Sequence, residues 1–337
     1  MDLSVLPLIL KSLMDPDSRK ILKIGKEVKR FSDYLAWYIA KKVFETTEID
    51  GVTLSEFNSK IRDPHLARAL YELLETWKYV RTENGVIKVI RSPPERGPVM
   101  TAPTTLEVMP IFHRILDTLP EAMRTGKKTF YWKDKESKLI FLRFLDNTGY
   151  NFVRQVFARW IGVPDLDSED WIVDVGSGMG LSALTLLKLG KAKVLAVDPD
   201  PLSLSIAEDY AKMAGVEKRL LTAVGRGEEL YDVVKEKVPL GKVKLVTLVS
   251  VLHWADSPEE VLKQAGMVVS RSYGKVGLFQ GTWERKMLPY MIVTWLLGSK
   301  MMPEPSELNN WMRAAGLEIE RYTKWPFDMY LLRARSS

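Results

Sequence analysis

The chain has 337 residues, of which 46% are hydrophobic and 27% charged, proportions typical of a folded protein long enough for two domains. It contains no cysteine, which excludes disulfides, thiolate zinc sites and iron–sulfur clusters. It has only three histidines, so we expect no metal site either. The net charge of +6 is spread along the chain without a run of Lys or Arg, which argues against a nucleic-acid partner and a membrane-binding tail.

The sequence shows no targeting or membrane-spanning segment. Residues 1–14 are apolar but lack the basic start and the small-residue cleavage site of a signal peptide. The nearly uncharged stretch 287–300 is too short to cross a bilayer. These features predict a cytoplasmic protein.

Residues 1–103 show the pattern of a winged helix. Thr53 and Glu56 have the spacing of a capping box at the start of one helix. Asp63 precedes a proline at the first position of the next helix. Asn84-Gly85 lies between two short apolar runs, which predicts a β-hairpin. Helix, turn, helix and hairpin together predict a small winged-helix-like domain.

Residues 104–165 follow a proline-rich linker and are predicted to form aromatic-rich helices. Beyond residue 166, apolar runs of strand length alternate with helical segments. The runs are 171–175, 194–198, 220–224, 245–250 and 276–280, with a last antiparallel pair at 317–321 and 328–332. This alternation predicts a Rossmann-like, doubly wound α/β sheet over 166–337, mostly parallel with an antiparallel last strand.

A glycine-rich turn follows the first of these strands and precedes a helix. It contains Gly176, Ser177, Gly178 and Gly180, with Asp174 two residues earlier and Asp198 at the end of the next strand. Glycine lets the backbone turn sharply and lets a ligand approach closely. An acid at the end of the second strand can accept hydrogen bonds from ribose hydroxyls. These six residues predict a nucleotide-binding site.

The spacing of the turn distinguishes between nucleotides. A dinucleotide fingerprint places its third glycine where this chain has Leu181, and no Gly-Lys-Ser/Thr follows as in a P-loop. Asp174 suits a ligand with a positively charged amine better than a pyrophosphate, and S-adenosylmethionine (SAM) carries such an amine beside its ribose. We therefore predict SAM as the cofactor, with a nicotinamide-dependent oxidoreductase as a distant alternative.

With these motifs, residues 171–332 resemble a class I SAM-dependent methyltransferase. The resemblance extends upstream to the two-domain O-methyltransferases, to which Asp63–Leu70, the Asn84-Gly85 hairpin and Leu119–Lys127 are similar. It implies that the winged helix forms a homodimer and that residues 104–165 roof the substrate pocket. It also implies that the methyl acceptor is a hydroxyl of a small aromatic molecule.

The segment that begins at Ser250 follows the fourth strand, where doubly wound folds place their sites, and Ser250 is a further candidate cofactor-binding residue. In the family that the chain resembles, a histidine here is the general base, and His253 matches its position. A neutral imidazole can remove the proton of a phenol, whose pKa is about 10. His253 is therefore the candidate catalytic residue, with packing at the pocket rim as the alternative. Ser257 and Glu260 have capping-box spacing for the next helix.

Two positions depart from the family pattern. Gln280 replaces a carboxylate often found at the end of the fifth strand, and Gly225-Arg226 stands where the family has Gly-Asp near the adenine. Because arginine cannot accept a hydrogen bond, we expect backbone groups and apolar contacts, including Pro199, to hold the adenine. Candidate acceptor-binding residues are Tyr150, Trp254 and Trp283, and Phe130, Tyr131 and Trp132 belong to the same aromatic group.

Two other functions stay open. The winged helix and an isoelectric point of about 9.1 fit a methyltransferase that acts on RNA or protein and reads its substrate through that domain. Against this, residues 1–100 show no obvious basic face. A non-enzymatic, SAM-sensing DNA-binding protein would carry the same motifs, because a fold does not fix a function.

Overall fold

The computed structural model of the chain describes residues 21–101, 103–128, 135–146, 148–324 and 327–335. Residues 1–20 of the predicted winged helix and the aromatic residues 130–132 lie outside the described residues. The helices are α1 (Ile21–Thr46), α2 (Leu54–Ser59), α3 (Pro64–Thr76), α4 (Pro103–Leu116), α5 (Leu119–Thr125), α6 (Lys135–Leu145), α7 (Thr148–Trp160), α8 (Leu181–Leu189), α9 (Pro201–Met213), α10 (Leu230–Lys237), α11 (Pro258–Ser270), α12 (Leu288–Leu296) and α13 (Pro305–Ala314). The strands are β1 (Val80–Glu83), β2 (Val86–Val89), β3 (Trp171–Val175), β4 (Lys193–Asp198), β5 (Leu220–Val224), β6 (Val243–Val249), β7 (Lys275–Gln280), β8 (Leu317–Lys324) and β9 (Asp328–Ala334). None of the described helices combines the length and the apolar character needed to cross a membrane.

The chain divides into two compact units. The sheet unit contains Leu145–Thr282 and Pro303–Ser337, and the helical unit contains Leu22–Phe144 and Trp283–Met302. The helical unit is thus built from two separate parts of the sequence. The predicted boundaries at 103 and 165 do not coincide with this division, and they assign the segment 283–302 to the domain 166–337 rather than to the helical unit.

Side-chain caps and a tight turn define the elements of the helical unit. Thr53 Oγ1 accepts from the Glu56 N–H at 3.2 Å, and Glu56 Oε2 accepts from the Thr53 N–H at 2.6 Å, which confirms the capping box. Asp63 Oδ1 accepts from the Leu66 N–H at 2.8 Å at the start of α3. Asn84 and Gly85 both have positive φ between the antiparallel strands β1 and β2, which confirms the hairpin.

The apolar helix α12 belongs to the helical unit because of its contacts there. It packs against α3 and α4, and seven of its nine residues are buried. Just before it, the Trp283 indole N–H donates to Glu72 Oε2 at 2.9 Å, and the Arg68 guanidinium lies 4.1 Å from the centre of the Trp283 ring. Arg285 Nη1 lies 2.7 Å from Glu75 Oε2.

The sheet unit is built on seven strands in the order β5-β4-β3-β6-β7-β9-β8. The first five strands are parallel, and β9 is antiparallel to both β7 and β8. One face packs against α10, α11 and α13, and the other packs against α7, α8 and α9. The predicted doubly wound α/β fold with an antiparallel last strand is therefore confirmed. The strand order reverses between β3 and β6, which is where such sheets bind ligands.

One predicted helix cap is wrong. The Ser257 side chain makes no cap bond at the start of α11, and Glu260 does not cap the Ser257 N–H. Instead the Ser257 N–H donates to Glu228 Oε1 at 3.1 Å, while Glu260 accepts from Gln264 and Lys263. The short 3₁₀ helix Gly227–Glu229 supplies the acceptor that the local spacing assigns to Glu260.

Candidate functional site

The glycine turn connects β3 to α8 beside the point where the strand order reverses. Gly176, Gly178 and Gly180 have φ values of 60°, 53° and 82°. Residues with a side chain rarely adopt these conformations, so the turn needs glycine at all three positions. The Ser177 N–H donates to the Val197 carbonyl at 3.1 Å, which attaches the turn to β4.

Two of the three glycines also permit close packing. A Cβ at Gly176 would lie 2.8 Å from Val251 Cγ2, and a Cβ at Gly180 would lie 2.5 Å from Ala207 Cβ in α9. A Cβ at Gly178 would meet no atom of the described residues within 4 Å. Gly176 and Gly180 therefore position neighbouring elements, whereas Gly178 borders open space from which a ligand can approach the backbone.

Asp198 is held by the backbone on both sides. Its Oδ2 accepts from the Gly178 N–H at 2.8 Å, and its Oδ1 accepts from the Asp200 N–H at 2.9 Å. Asp200 in turn caps α9 through the N–H groups of Leu202 and Ser203. Because an ionised carboxylate has about four acceptor positions, Asp198 can also receive the hydroxyls of a ribose while it holds the glycine turn.

Asp174 is buried in β3, with 1% of its surface exposed. Its Oδ1 accepts from the Thr247 hydroxyl at 2.8 Å, whereas its Oδ2 makes no hydrogen bond within the described part of the chain. Burial, together with the Asp198 carboxylate, raises the pKa of Asp174 to about 6, and the nearby donors of Thr247, Ser177 and the Ala183 N–H offset part of this rise. A buried acid with one unbonded oxygen gains a great deal from a cationic partner.

The end of β5 is tied to the end of β4, because the Gly225 N–H donates to the Asp198 carbonyl at 3.2 Å. Arg226 follows, and its guanidinium pairs with Asp256 and lies 3.6 Å from Glu228 Oε2. Arg226 thus holds together the segments after β5 and before α11. Contact of Gly225 and Arg226 with the cofactor stays a prediction.

Exposed apolar side chains lie at the predicted adenine position. Pro199 follows Asp198 and is exposed, and Val224 at the end of β5 is 62% exposed. Apolar surface at the ends of β4 and β5 is consistent with the predicted packing against a flat ring, which stays a prediction.

Ser250 follows β6 with a φ of 57°, a conformation that costs energy for a residue with a side chain. Its N–H donates to the Phe279 carbonyl of β7 at 2.7 Å, and the next residue is Val251, which contacts Gly176. Strained backbone of this kind is concentrated at functional sites. The turn at Ser250 links the segment that contains His253 to the glycine turn.

His253 is buried beside Gln280, the last residue of β7. The distance between His253 Nδ1 and Gln280 Nε2 is 3.2 Å. Gln280 Oε1 accepts from the Leu252 N–H at 3.2 Å, and Gln280 Nε2 also donates to the Gly281 carbonyl at 3.0 Å. Burial lowers the pKa of His253 to about 4, so the ring is neutral at pH 7.

The three aromatic residues predicted to bind the acceptor lie in different surroundings. Trp254 is 45% exposed, and its ring centre lies 5.5 Å from that of His253. Tyr150 lies in α7 of the sheet unit, where burial raises the pKa of its hydroxyl. Trp283 belongs to the helical unit, where it is bonded to Glu72. The structure places Trp254 beside His253, and the acceptor contacts of all three residues stay predictions.

Sequence reasoning does not find Thr247 and does not find what Gln280 contacts. Thr247 is fully buried and bonds Asp174, and its only signal is a polar residue within the apolar run of β6. Gln280 stands out in the sequence only because it replaces a carboxylate. Its contacts depend on the pairing of strands far apart in sequence, which no local pattern encodes.

These residues fit SAM. The unbonded oxygen of Asp174 can receive its amine, Asp198 can receive its ribose hydroxyls, and the open space at Gly178 gives it room. Within the described ranges of the chain, no group of three or more His, Asp or Glu side chains could hold a metal ion.

Comparisons with known proteins agree with this geometry. Residues 172–271, which include the glycine turn, Asp198 and His253, match a family model described as a methyltransferase domain. Curated relatives include ribosomal protein L11 methyltransferases from Yersinia pseudotuberculosis and Escherichia coli O8, which are 29% and 30% identical over 142 residues. The match covers 39% of this chain and 48% of those proteins, so the chain spans about half the length of the curated relatives it matches.

Solved structures share the fold across both units. The CurJ carbon methyltransferase has a TM-score of 0.67 at 12% identity, covering 99% of this chain and 98% of that one. An O-methyltransferase family 2 protein from Planctomyces limnophilus, in complex with apigenin, has a TM-score of 0.61 at 17% identity, covering 92% and 95%. Human N-acetylserotonin methyltransferase, in complex with SAM, has a TM-score of 0.51 at 16% identity, covering 95% and 98%. The chain therefore contains a SAM-dependent methyltransferase domain and has the class I methyltransferase fold.

Proposed function

We propose that the protein transfers a methyl group from SAM to a hydroxyl of a small aromatic molecule. The observation that carries the proposal is the buried Asp174 carboxylate, whose Oδ2 has no hydrogen bond among the described residues. SAM, when bound, supplies a methyl group that its sulfonium sulfur activates for transfer. A hydroxyl acceptor is supported by the sequence resemblance to two-domain O-methyltransferases, since the fold is shared both with the O-methyltransferase family 2 protein in complex with apigenin and with the CurJ carbon methyltransferase.

In this proposal the protein mainly binds SAM and aligns the acceptor with its methyl group. Asp174 receives the amine of SAM, and Asp198 receives its ribose hydroxyls while it fixes the Gly178 amide. His253 is the catalytic residue, because its segment begins at the strained Ser250 and contacts the glycine turn through Val251. Holding the acceptor in line with the methyl group supplies much of the rate enhancement in such a reaction.

The proposed assembly is a homodimer formed through the helical unit. Its support is the sequence resemblance to two-domain O-methyltransferases, together with the fold shared with the O-methyltransferase family 2 protein over 92% of this chain. Sedimentation velocity of the full chain tests it, and a monomer at all concentrations would refute it.

A macromolecular acceptor is the second candidate. One observation favours it, because the curated relatives are named ribosomal protein L11 methyltransferases. Their match covers 39% of this chain, so most of the chain has no counterpart in it.

Methyl-labelled SAM distinguishes the two candidates. The full-length protein is incubated with labelled SAM and a host-cell extract, and the label is separated into solvent-extractable, RNA and protein fractions. We expect label in the extractable fraction, and none of it with an Asp198→Ala control that binds SAM weakly. Label in protein or RNA would replace the small-molecule acceptor by a macromolecular one. SAM binding without any transfer would favour a SAM-sensing protein instead.

A further inference from the structure

The side-chain amide of Gln280 has only one orientation that its neighbours accept. Its oxygen faces the Leu252 N–H at 3.2 Å, and its nitrogen faces the Gly281 carbonyl at 3.0 Å. Turning the amide over would place its N–H₂ group against an N–H and its oxygen against a carbonyl oxygen. Both contacts would become repulsive in a fully buried place, where unsatisfied polar groups are costly. The Gln280 nitrogen is therefore fixed as the donor toward His253.

This orientation determines which nitrogen of His253 carries the proton. One hydrogen of the Gln280 N–H₂ group bonds the Gly281 carbonyl, and the other points at His253 Nδ1 at 3.2 Å. Nδ1 must then present its lone pair, so the neutral ring carries its hydrogen on Nε2. Nε2 makes no hydrogen bond with any described residue.

We infer that Gln280 holds His253 as an Nε2–H hydrogen-bond donor, and that the acceptor reaches the site already as an oxygen anion. In this arrangement Gln280 is a positioning residue, because it acts through His253. The inference rests on the proposed function and narrows its substrate class to small aromatic molecules whose hydroxyl is acidic enough to be ionised near neutral pH, such as electron-poor phenols. A carboxylate in place of Gln280 would accept from Nδ1–H and leave Nε2 free as a base, which is the role that the family resemblance implies.

Methyl transfer to an oxygen anion needs no base in the protein. The anionic oxygen donates an electron pair to the methyl carbon, the carbon–sulfur bond breaks, and its electron pair stays on sulfur, which becomes a neutral thioether. The acceptor oxygen becomes neutral and no proton is released. His253 Nε2–H orients the anion before transfer by a hydrogen bond to it. Among the described residues, no charged side chain shifts the pKa of His253, so the ring stays neutral throughout the working range.

Nitrogen NMR of the full-length protein labelled with ¹⁵N-histidine tests this directly. The chain has three histidines, and the His253 signals are those that vanish in His253→Asn. We expect the wild-type ring at neutral pH to show a protonated Nε2 and an unprotonated Nδ1, with and without S-adenosylhomocysteine. A protonated Nδ1 in the wild type would overturn the inference.

Gln280→Glu supplies the matched variant. We expect its carboxylate to move the proton of His253 to Nδ1 and to raise the pKa of the ring, while the exposed His65 keeps its wild-type signals. An unchanged tautomer in a folded Gln280→Glu protein would contradict the inference. If the buried carboxylate prevents folding, the wild-type spectrum, assigned with His253→Asn, still decides the question, because it does not need the Gln280→Glu protein.

The NMR test is independent of methyl transfer, so it separates this inference from the proposed function. If label transfer fails but Nε2 is protonated, the positioning by Gln280 stands and the acceptor proposal falls. Where acceptors are found, we expect the midpoint of the pH–rate profile to follow the pKa of each acceptor. With SAM saturating at every pH, so that Asp174 does not set the rate, a single midpoint shared by acceptors of different acidity would identify a base in the protein and overturn the inference.

Discussion

At the scale of single residues, Asp174 has the most unusual environment. Nearly complete burial and the neighbouring Asp198 carboxylate keep its pKa well above the ordinary value of 3.8, although the hydrogen bond from Thr247 lowers it. A protein that only needed a stable β3 would gain by an apolar residue here. The charge is retained at a cost that a cationic ligand can offset.

Asp174→Asn keeps the size of the side chain and removes its charge. Because the pKa in the folded state lies above the ordinary value, the contribution of Asp174 to the free energy of unfolding is present at acidic pH and is lost as the pH rises through about 6. We therefore expect the ligand-free Asp174→Asn variant to be more stable than the wild type at pH 7.5 in thermal unfolding. It should also bind SAM roughly ten- to a hundredfold more weakly, since hydrogen bonds to charged groups contribute about 1.5–3 kcal/mol.

The same ionisation makes the binding of SAM dependent on pH. Wild-type affinity should rise as the pH increases through about 6, with release of a proton that calorimetry in buffers of different ionisation enthalpy can measure. Asp209→Asn on the exposed surface of α9 is the control and should change neither property. Unchanged SAM affinity in Asp174→Asn would refute the placement of the amine.

At the scale of elements, the glycine turn joins β3, α8, α9 and the segment after β6. Each glycine has a positive φ, but the space around the three differs, as the contacts of an added Cβ show. Gly180 meets Ala207 and Gly176 meets Val251, whereas Gly178 meets nothing within 4 Å among the described residues. Substitutions at different glycines of this five-residue turn can therefore change either stability or ligand binding.

Gly180→Ala should mainly reduce stability, whereas Gly178→Ala should mainly weaken SAM binding. Gly180→Ala brings its methyl group within 2.5 Å of Ala207 Cβ, so we expect a loss of about 2–4 kcal/mol in the free energy of unfolding, from overpacking and from a left-handed backbone. Gly178→Ala should lose only about 1–2 kcal/mol from the backbone term but weaken SAM binding more than tenfold. Urea unfolding and calorimetry measure the two properties.

Gly215→Ala is the matched control for the backbone term. Gly215 has a φ of 67° and no described atom within 4 Å of an added Cβ, and it lies after α9, away from the turn. We expect a small loss of stability and unchanged SAM binding. Normal SAM binding by Gly178→Ala would show that the open space at this glycine does not face the cofactor.

The elements that the sequence predicts well are those specified locally. The capping box of Thr53, the cap of Asp63 and the Asn84-Gly85 hairpin depend on neighbours within four residues, and all are confirmed. The cap predicted at Ser257 is wrong because the Ser257 N–H donates to Glu228, which lies 29 positions earlier in the chain. The contacts of Gln280 are missed for the same reason, since strand pairing places it beside His253.

At the scale of the whole molecule, the two units are not two consecutive stretches of sequence. The chain leaves the sheet unit after Thr282, contributes the segment 283–302 to the helical unit, and returns at Pro303. The composition of the sequence does not change at the segment 283–302, because α12 is as apolar as a core helix of the sheet unit. A linear reading of domains therefore assigns it to the sheet.

A fragment of residues 145–337 should aggregate. It keeps the sheet unit but carries α12 without α3 and α4, so the seven buried residues of that helix lose partners. Replacing the segment 283–302 with a short Gly/Ser linker should give a soluble, folded sheet unit. Size-exclusion chromatography and circular dichroism of the two fragments compare them directly. A soluble, monomeric 145–337 fragment would show that α12 does not need the helical unit.

The two-part helical unit also bears on how the chain folds during synthesis. Domains commonly fold in the order in which they leave the ribosome, at about 5–20 residues per second. Here the N-terminal part cannot acquire α12 until residue 302 has been made, which adds a delay of roughly 10–30 s after residue 144. During that time the surfaces of α3 and α4 that pack against α12 remain uncovered. Residues 22–144 are therefore synthesised well before their unit can complete its core, and until then they expose apolar surface that a chaperone can bind.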